Sequence, residues 1–417
     1  MPGLLSIVRA LFSDRIRMLE EMGARIPRIG RTGFGRISVI LVNTPELIPE
    51  VLIERAEDYQ KGPILRVFAK PLLGEGILVS EGEQHRERRK LVAPAFAHQR
   101  VSKYAAVLQQ HALAAQATWC DGQEINIAEE MMRVTLGIVG RTLFDVDLLD
   151  QADKLRQNIT ILQEAIAFQM RLPFRVPASG KRRRALDGLN ETVYGMIRER
   201  RTRGTDKGDL MSMLLLSKDE ETGQHLTDEQ VRDEAMTLFL AGHETTAQAM
   251  SWSWYLLAQH PEHLARLRAE GMPFALRVMK EAMRLFPPAF LLARQAVRDT
   301  SIGGFPVRKD ELVFIAPWLL QRDSRYFEDP LRFDPDRFLP EREAALPRFA
   351  YMPFGGGKHI CIGNQFALME GQIILSTIAA HARMELVSRK PAGLQPFLTL
   401  RPKNGVMVRI RKFEEHA

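Results

Sequence analysis

The stretch Phe354-Gly355-Gly356-Gly357-Lys358-His359-Ile360-Cys361-Ile362-Gly363 puts one cysteine at the end of a glycine-rich loop. A helix-like run, Asn364 to Ala382, follows it. A helix N-terminus offers N–H dipoles that stabilise a nearby thiolate. Glycines ahead of the cysteine carry no Cβ, so a flat ligand can lie close to the backbone. His359, two positions before Cys361, is placed to meet an anionic group on such a ligand. One sulfur ligand with an open opposite face suits a haem iron. It does not suit zinc, which takes about four ligands.

The rest of the chain is compatible with a large soluble protein. Its 417 residues are 45% hydrophobic, with net charge +7. Cys120 and Cys361 are the only cysteines, so no disulfide framework or secreted scaffold is expected. Cys120, beside Trp119 near a helix end, reads as a packing residue. Charged residues Arg9, Asp14, Arg15, Arg17, Glu20 and Glu21 interrupt the N-terminal stretch, so neither a membrane anchor nor a signal peptide is expected. A cytoplasmic monomer is the expectation. The positive charge lacks any zinc-finger spacing or aromatic RNA-binding signature, which argues against nucleic acid as a partner.

Helical periodicity dominates. Strand-like pieces stand at Ile37–Leu41, Val307–Val313 and Gly405–Ile410. Phe174–Gly180 breaks two helical runs, and the basic Lys181–Arg184 opens the second. Phe327–Leu339, with Pro330 and Pro335, reads as ordered coil. The clearest helix runs from Asp228 to Gln259, with Thr227 and Gln230 as a capping box and Pro261 as its stop. Its length predicts a rod of about 48 Å. Its apolar middle predicts burial.

Inside that rod lies Ala241-Gly242-His243-Glu244-Thr245-Thr246. A carboxylate in an apolar helix must be paired, hydrated or neutralised. Thr245 is placed to bond back to the carbonyl of residue 241. With an acid and a hydroxyl beside Gly242, a proton-delivery site is expected here.

The glycine loop resembles the cysteine-ligand loop of the cytochrome P-450 family, the haem-thiolate monooxygenases. Phe354, Gly357, His359, Cys361 and Gly363 fill its Phe-x-x-Gly-x-basic-x-Cys-x-Gly pattern. The hexapeptide matches the family's small-Gly-x-acid-Thr-Thr, and the resemblance runs from about Arg31 to Ile410. It implies a mainly α fold with a smaller β-rich portion near residues 31–62 and 300–315, in a single domain of residues 1–417, with the long helix over the haem. Haem b (iron protoporphyrin IX) would be held by Cys361 as the iron ligand. Glu244 and Thr245 would assist proton delivery to dioxygen, with Thr246 structural.

The same resemblance implies further roles. Glu281-x-x-Arg284 and Arg337, in Pro335-Asp336-Arg337-Phe338, would form a buried network bracing the haem-side coil. His85, Arg89, Arg294 and His359 would converge on the two haem propionates, where charge-assisted hydrogen bonds are strong. Phe239, Ala241, Phe290, Leu291 and Leu292 would line the pocket for a small apolar organic substrate. Leu398 and Thr399 are weaker lining candidates, and Pro63–Gly76 would close the pocket. Relatives carry about twenty more residues after Gly271, and often a histidine where Gln321 stands; only a local hydrogen-bond change is expected there.

The reaction implied is insertion of one oxygen atom from O2. The chain has no room for a flavin or ferredoxin region, so a separate acidic ferredoxin or flavodoxin would supply electrons, docking on Arg86, Arg88, Lys90, Arg100 and Lys358. A haem-thiolate peroxygenase or isomerase is the first alternative, although it would not need Glu244 and Thr245. A non-catalytic haem sensor is the second.

Overall fold

The computed structural model describes residues 14–34, 37–169, 179–204, 206–218, 223 and 225–413. In chain order the elements used below are α1 (Arg15–Arg25), β1 (Ile29–Phe34), β2 (Ile37–Val42), β3 (Tyr59–Lys61), α2 (Gly82–Val92), α3 (Ala105–Ala117), β4 (Glu124–Asn126), α4 (Ile127–Leu143), α5 (Ala152–Gln169), α6 (Gly180–Arg203), α7 (Leu210–Leu216), α8 (Asp228–Gln259), α9 (Pro261–Glu270), α10 (Met272–Leu285), β5 (Leu292–Ala296), β6 (Leu312–Ile315), α11 (Asn364–His381), β7 (Ala382–Leu386) and β8 (Met407–Lys412). They group into two compact units. The first draws on residues 1–66, 280–361 and 394–401. The second draws on 67–279, 362–393 and 402–417.

The first unit is built on a five-stranded sheet in the order β1-β2-β6-β5-β3. β2 and β6 run parallel, Val39 opposite Leu312 through Val42 opposite Ile315, and the other neighbours are antiparallel. Side chains alternate along the pleat. Ile40, Val42, Val313 and Ile315 join a core with Ile48, Leu52 and Met352. Val39, Leu41 and Phe314 turn the other way, against Ile16, Leu19 and Met22 of α1 and against Trp318. Both faces are covered, so these strands are apolar on both sides.

The expected strand at Ile37–Leu41 is present as β2. The expected strand at Val307–Val313 is not one element. A short hairpin of Thr300–Ile302 with Phe305–Val307 ends there, and β6 starts at Leu312. Between them Asp310 has φ +67, and Glu311 accepts hydrogen bonds from the Arg308 N–H, from Arg31 and from Ser38. A polar turn anchored by a buried carboxylate thus splits the apolar run. The third expected strand begins two residues late, as β8, because Gly405 with φ +74 still belongs to a turn. Phe327–Leu339 is coil apart from one 3-10 turn at Pro335–Phe338.

The second unit is helical, with a small antiparallel sheet in the order β4-β8-β7. α8 packs along α4, and α11 along α3. The capping box of α8 is formed: Gln230 N–H donates to Thr227 Oγ1 at 3.2 Å and Thr227 N–H to Gln230 Oε1 at 2.9 Å. α9 ends at Gly271, whose φ of +66 suits a glycine. The break expected at Phe174–Gly180 lies mostly outside the described residues; α6 opens at Gly180 with Ser179 as N-cap, and Lys181–Arg184 follow in its first turns. Cys120 is exposed, contrary to its expected packing role, because Trp119 takes the buried position and donates to Glu130. No helix among the described residues is long and apolar enough to cross a membrane.

Candidate active site

The glycine loop in the first unit owes its composition to two different demands. A Cβ on Gly357, where φ is +67, would lie 1.8 Å from the Leu52 carbonyl oxygen. A Cβ on Gly356 would lie 2.5 Å from the Phe349 ring. The protein's own packing requires glycine at both positions. Gly355, at φ +72, instead faces open space, with nothing nearer than Leu292 Cδ1 at 3.9 Å. Phe354 is half-buried and its carbonyl accepts the Cys361 N–H at 3.0 Å. That bond folds the loop back and leaves Cys361 exposed, in no disulfide.

Leu291 and Leu292 are half-buried, whereas Phe290 is packed into the core against α1 and Trp318. Of this trio, only the two leucines keep accessible surface for a ligand. Arg294 lies on β5 opposite Lys61, largely buried, with one N–H on the Ala293 carbonyl. His359 closes the 3-10 turn Gly357–His359 and is half-buried.

Glu281 and Arg284 are fully buried and paired through two contacts, 2.6 and 2.8 Å. Arg284 also donates to the carbonyls of Gln321, Pro330 and Arg332. Glu281 accepts the Asp334 N–H at 2.9 Å, and Arg337 Nε lies 3.4 Å away. Burial pushes the Glu281 pKa above the usual carboxylate range, opposed by Arg284, the Asp334 N–H and Arg337. The result is a brace tying α10 to the coil at Pro330–Arg337. Gln321, fully buried, stands inside it: its amide donates to the Met283 and Arg284 carbonyls and accepts the Met352 N–H.

In the second unit, α8 is buried continuously from Val231 to Leu257 except at Ala241, Gly242 and Thr245. At 100° per residue these three share one face, a narrow strip of half-open surface on an otherwise covered rod. Thr245 Oγ1 donates to the Ala241 carbonyl at 2.7 Å, as its position in the helix predicts. Glu244 lies off the strip, buried, with the Gln163 amide of α5 on its carboxylate. Phe239 is buried against Phe144 and His243. His243 bonds back to the Phe239 carbonyl at 2.7 Å, and Thr135 of α4 donates to the His243 carbonyl at 3.0 Å.

On α2, His85 is buried and Arg89 half-buried, one turn apart. Arg88 is a correction. It was expected on an electron-donor docking face, but it is buried, with Nε 3.6 Å from Glu234 of α8. The buried positions His85, Arg88 and Val92 follow helical spacing, so Arg88 lies on the core side of α2. Arg86 and Lys90 are exposed as expected.

Four groups escaped sequence reasoning. Gln163 holds Glu244. Asp233 and Glu234 accept the backbone N–H groups of Glu75 (2.8 Å) and Ile77 (3.1 Å), fastening the Gly74–Ile77 turn to α8. That turn needs glycine, since a Cβ on Gly76 would lie 2.2 Å from Thr237 Oγ1. Glu370, on α11, is fully buried, and burial pushes its pKa well above the usual carboxylate range, with the Thr246 hydroxyl pulling the other way.

Taken separately, both sets of residues fit a haem. The first unit offers an exposed thiol after an open glycine, with basic groups Arg294 and His359. The second offers a half-open strip ending in a hydroxyl, with His85 and Arg89 on α2. Comparison with known proteins agrees. The family model for cytochrome P450 matches residues 13–408. Cyclooctatin synthase of Streptomyces melanosporofaciens is 35% identical over 380 residues, 85% of this chain and 83% of that protein. Pentalenene oxygenase of Streptomyces avermitilis is 32% identical over 407 residues, 92% of this chain and 90% of that protein. The solved cytochrome P450DA heme domain superposes with a TM-score of 0.86 at 26% identity, covering 98% of this chain and 96% of that one. A thiol loop, a half-open strip on a buried helix and a match over nearly the whole chain lead to one assignment: the chain belongs to the cytochrome P450 family and is a haem-dependent monooxygenase.

Proposed function

We propose that the chain hydroxylates or epoxidises an apolar, polycyclic substrate of the terpene kind. The overall change is substrate plus O2, two electrons and two protons to oxygenated substrate plus water. Haem b, when bound, would supply the activation of dioxygen. The single observation that carries the reading is the strip Ala241-Gly242-Thr245, the one half-open surface on α8 between Val231 and Leu257. The names of the relatives, cyclooctatin synthase, cyclooctat-9-en-7-ol 5-monooxygenase and pentalenene oxygenase, support the substrate class.

The chain's own residues would divide the work as follows. Cys361, as thiolate, binds the iron. His85, Arg89, Arg294 and His359 neutralise the propionates. Leu291, Leu292 and Ala241 present apolar surface that excludes water. Thr245 Oγ1 holds a hydrogen-bonded water and passes a proton at that atom. Glu244, oriented by Gln163, supplies the acid behind it. Electrons come from an acidic ferredoxin or flavodoxin of the cytoplasm, docking on Arg86, Lys90, Arg100 and Lys358.

The experiment is a turnover assay with a ferredoxin and reductase over a panel of cyclic terpene hydrocarbons and alcohols, fatty acids and steroids. A haem spectral shift and oxygenated product confined to the terpenes are expected. In Thr245→Ala, substrate still binds, but product per reducing equivalent falls several-fold and peroxide rises. Product from fatty acids alone overturns the substrate class. Unchanged coupling in Thr245→Ala overturns the proton role.

A further inference from the structure

We propose that the junction of α8 and α9 is a binding site for a borderline divalent transition ion such as Zn2+, formed by His260, Glu262 and His263. One nitrogen from each histidine and one Glu262 oxygen lie within 4.8 Å of one another. A tetrahedral ion at ~2.0–2.1 Å from each ligand needs ligand atoms about 3.4 Å apart. His260 Nδ1 and Glu262 Oε1 are already 3.2 Å apart. The other ligand atoms lie within 4.8 Å, a span that side-chain rotation must shorten, and Glu262 is exposed and able to turn.

The backbone that carries the ligands is fixed before any ion arrives. His260 is both the C-cap of α8 and the N-cap of α9, with φ −128 and ψ 74. Pro261 sets the next φ, and His263 N–H donates to the His260 carbonyl at 3.0 Å. The His263 ring leans on Phe274, centroids 6.0 Å apart, and sits 5.8 Å from the His260 ring. Little backbone ordering is left to oppose binding.

The donor set selects the metal. Two imidazoles and one carboxylate favour Zn2+, Cu2+ or Ni2+, whereas Mg2+ and Ca2+ demand oxygen ligands. Three protein ligands leave a fourth position for water. Three positive groups oppose a cation here. The N-terminus of α9 weakens binding by a factor of roughly two to five. Arg266 and Arg277 lie near, over the Phe274 ring, but Glu270 pairs with both. The bound ion would clip the end of α8 to α9 and stabilise the folded chain in proportion to the logarithm of its concentration.

The test uses untagged, haem-loaded, chelator-washed protein. Calorimetric titration with ZnCl2 is expected to show one site, released by chelator and absent with MgCl2. Its affinity falls as the pH is lowered, because the ligands bind the ion only when deprotonated. His260→Asn and His263→Gln, each checked for an unchanged haem spectrum, are expected to weaken it by on the order of tenfold or more, since even indirect partners of a ligand tune affinity ~10–100-fold. His225→Gln, at an exposed histidine elsewhere, is expected to leave it unchanged. Cu2+ paramagnetic resonance on the wild type, which needs no variant, is expected to show two nitrogen ligands. Absence of Zn2+ binding, wild-type affinity in both histidine variants, or a Cu2+ signal without nitrogen ligands overturns the site.

Discussion

Arg284→Leu tests whether the buried brace of the first unit supports haem loading. All the guanidinium contacts of Arg284 are spent inside the protein: two on Glu281 and one each on the carbonyls of Gln321, Pro330 and Arg332. The leucine leaves Glu281 buried with only the Asp334 N–H and Arg337 beside it. Breaking a buried pair in this way costs about 3–5 kcal/mol. Each carbonyl left without a donor adds about 1–3 kcal/mol unless water reaches it. Against a total stability of ~5–15 kcal/mol, the variant should lose most folded, haem-loaded protein. Glu281→Leu/Arg284→Leu removes the stranded carboxylate as well, so it should be more stable than Arg284→Leu alone. The assay is haem per polypeptide and thermal unfolding for wild type, both single variants and the double. An Arg284→Leu protein with full haem and unchanged melting, or a double variant whose losses simply add, would refute the reasoning.

Three further outcomes are expected. Glu370→Gln should be increasingly stabilising relative to wild type as pH rises above about 4.5. The folded pKa of Glu370 is raised, so its contribution is fully present below the unfolded pKa and is lost as pH rises toward the folded one, at about 1.4 kcal/mol per pH unit; parallel melting-versus-pH curves for the two proteins would contradict this. Gly357→Ala, whose Cβ would meet the Leu52 carbonyl at 1.8 Å, should lose haem-loaded protein, whereas Gly355→Ala should cost only the ~1–2 kcal/mol of a left-handed backbone; equal haem occupancy in the two would sink the packing argument. Lys90→Glu and Lys358→Glu should raise the ferredoxin concentration needed for half-maximal reduction at low salt, with the difference vanishing at high salt; unaltered kinetics in both would move the docking face elsewhere.

What was legible in the sequence divides by range. α8 was readable because its cap, its apolar middle and its Pro261 stop are all local. Cys361 and its glycines were readable as a pattern, but the reason for Gly356 and Gly357 was not, because Phe349 and the Leu52 turn reach them only in the fold. Gln163 was beyond reach, since its partner Glu244 lies 81 residues away. Arg88 carried a missed signal: it shares helical spacing with His85 and Val92, the positions α2 buries. Glu370 was equally readable by the logic applied to Glu244, a lone acid in the apolar run Phe366–Ala380. The split near Asp310 was missed because apolar residues at both ends of a polar turn mimic one strand.

The central claim is that Cys361 is the thiolate ligand of a haem, and the absorption spectrum of the reduced carbon-monoxide complex tests it most directly. Wild-type protein is expected to show the red-shifted band that thiolate ligation produces, and Cys361→Ser to lose it while Cys120→Ser keeps it. A Cys361→Ser protein with the full thiolate-type band would contradict the assignment.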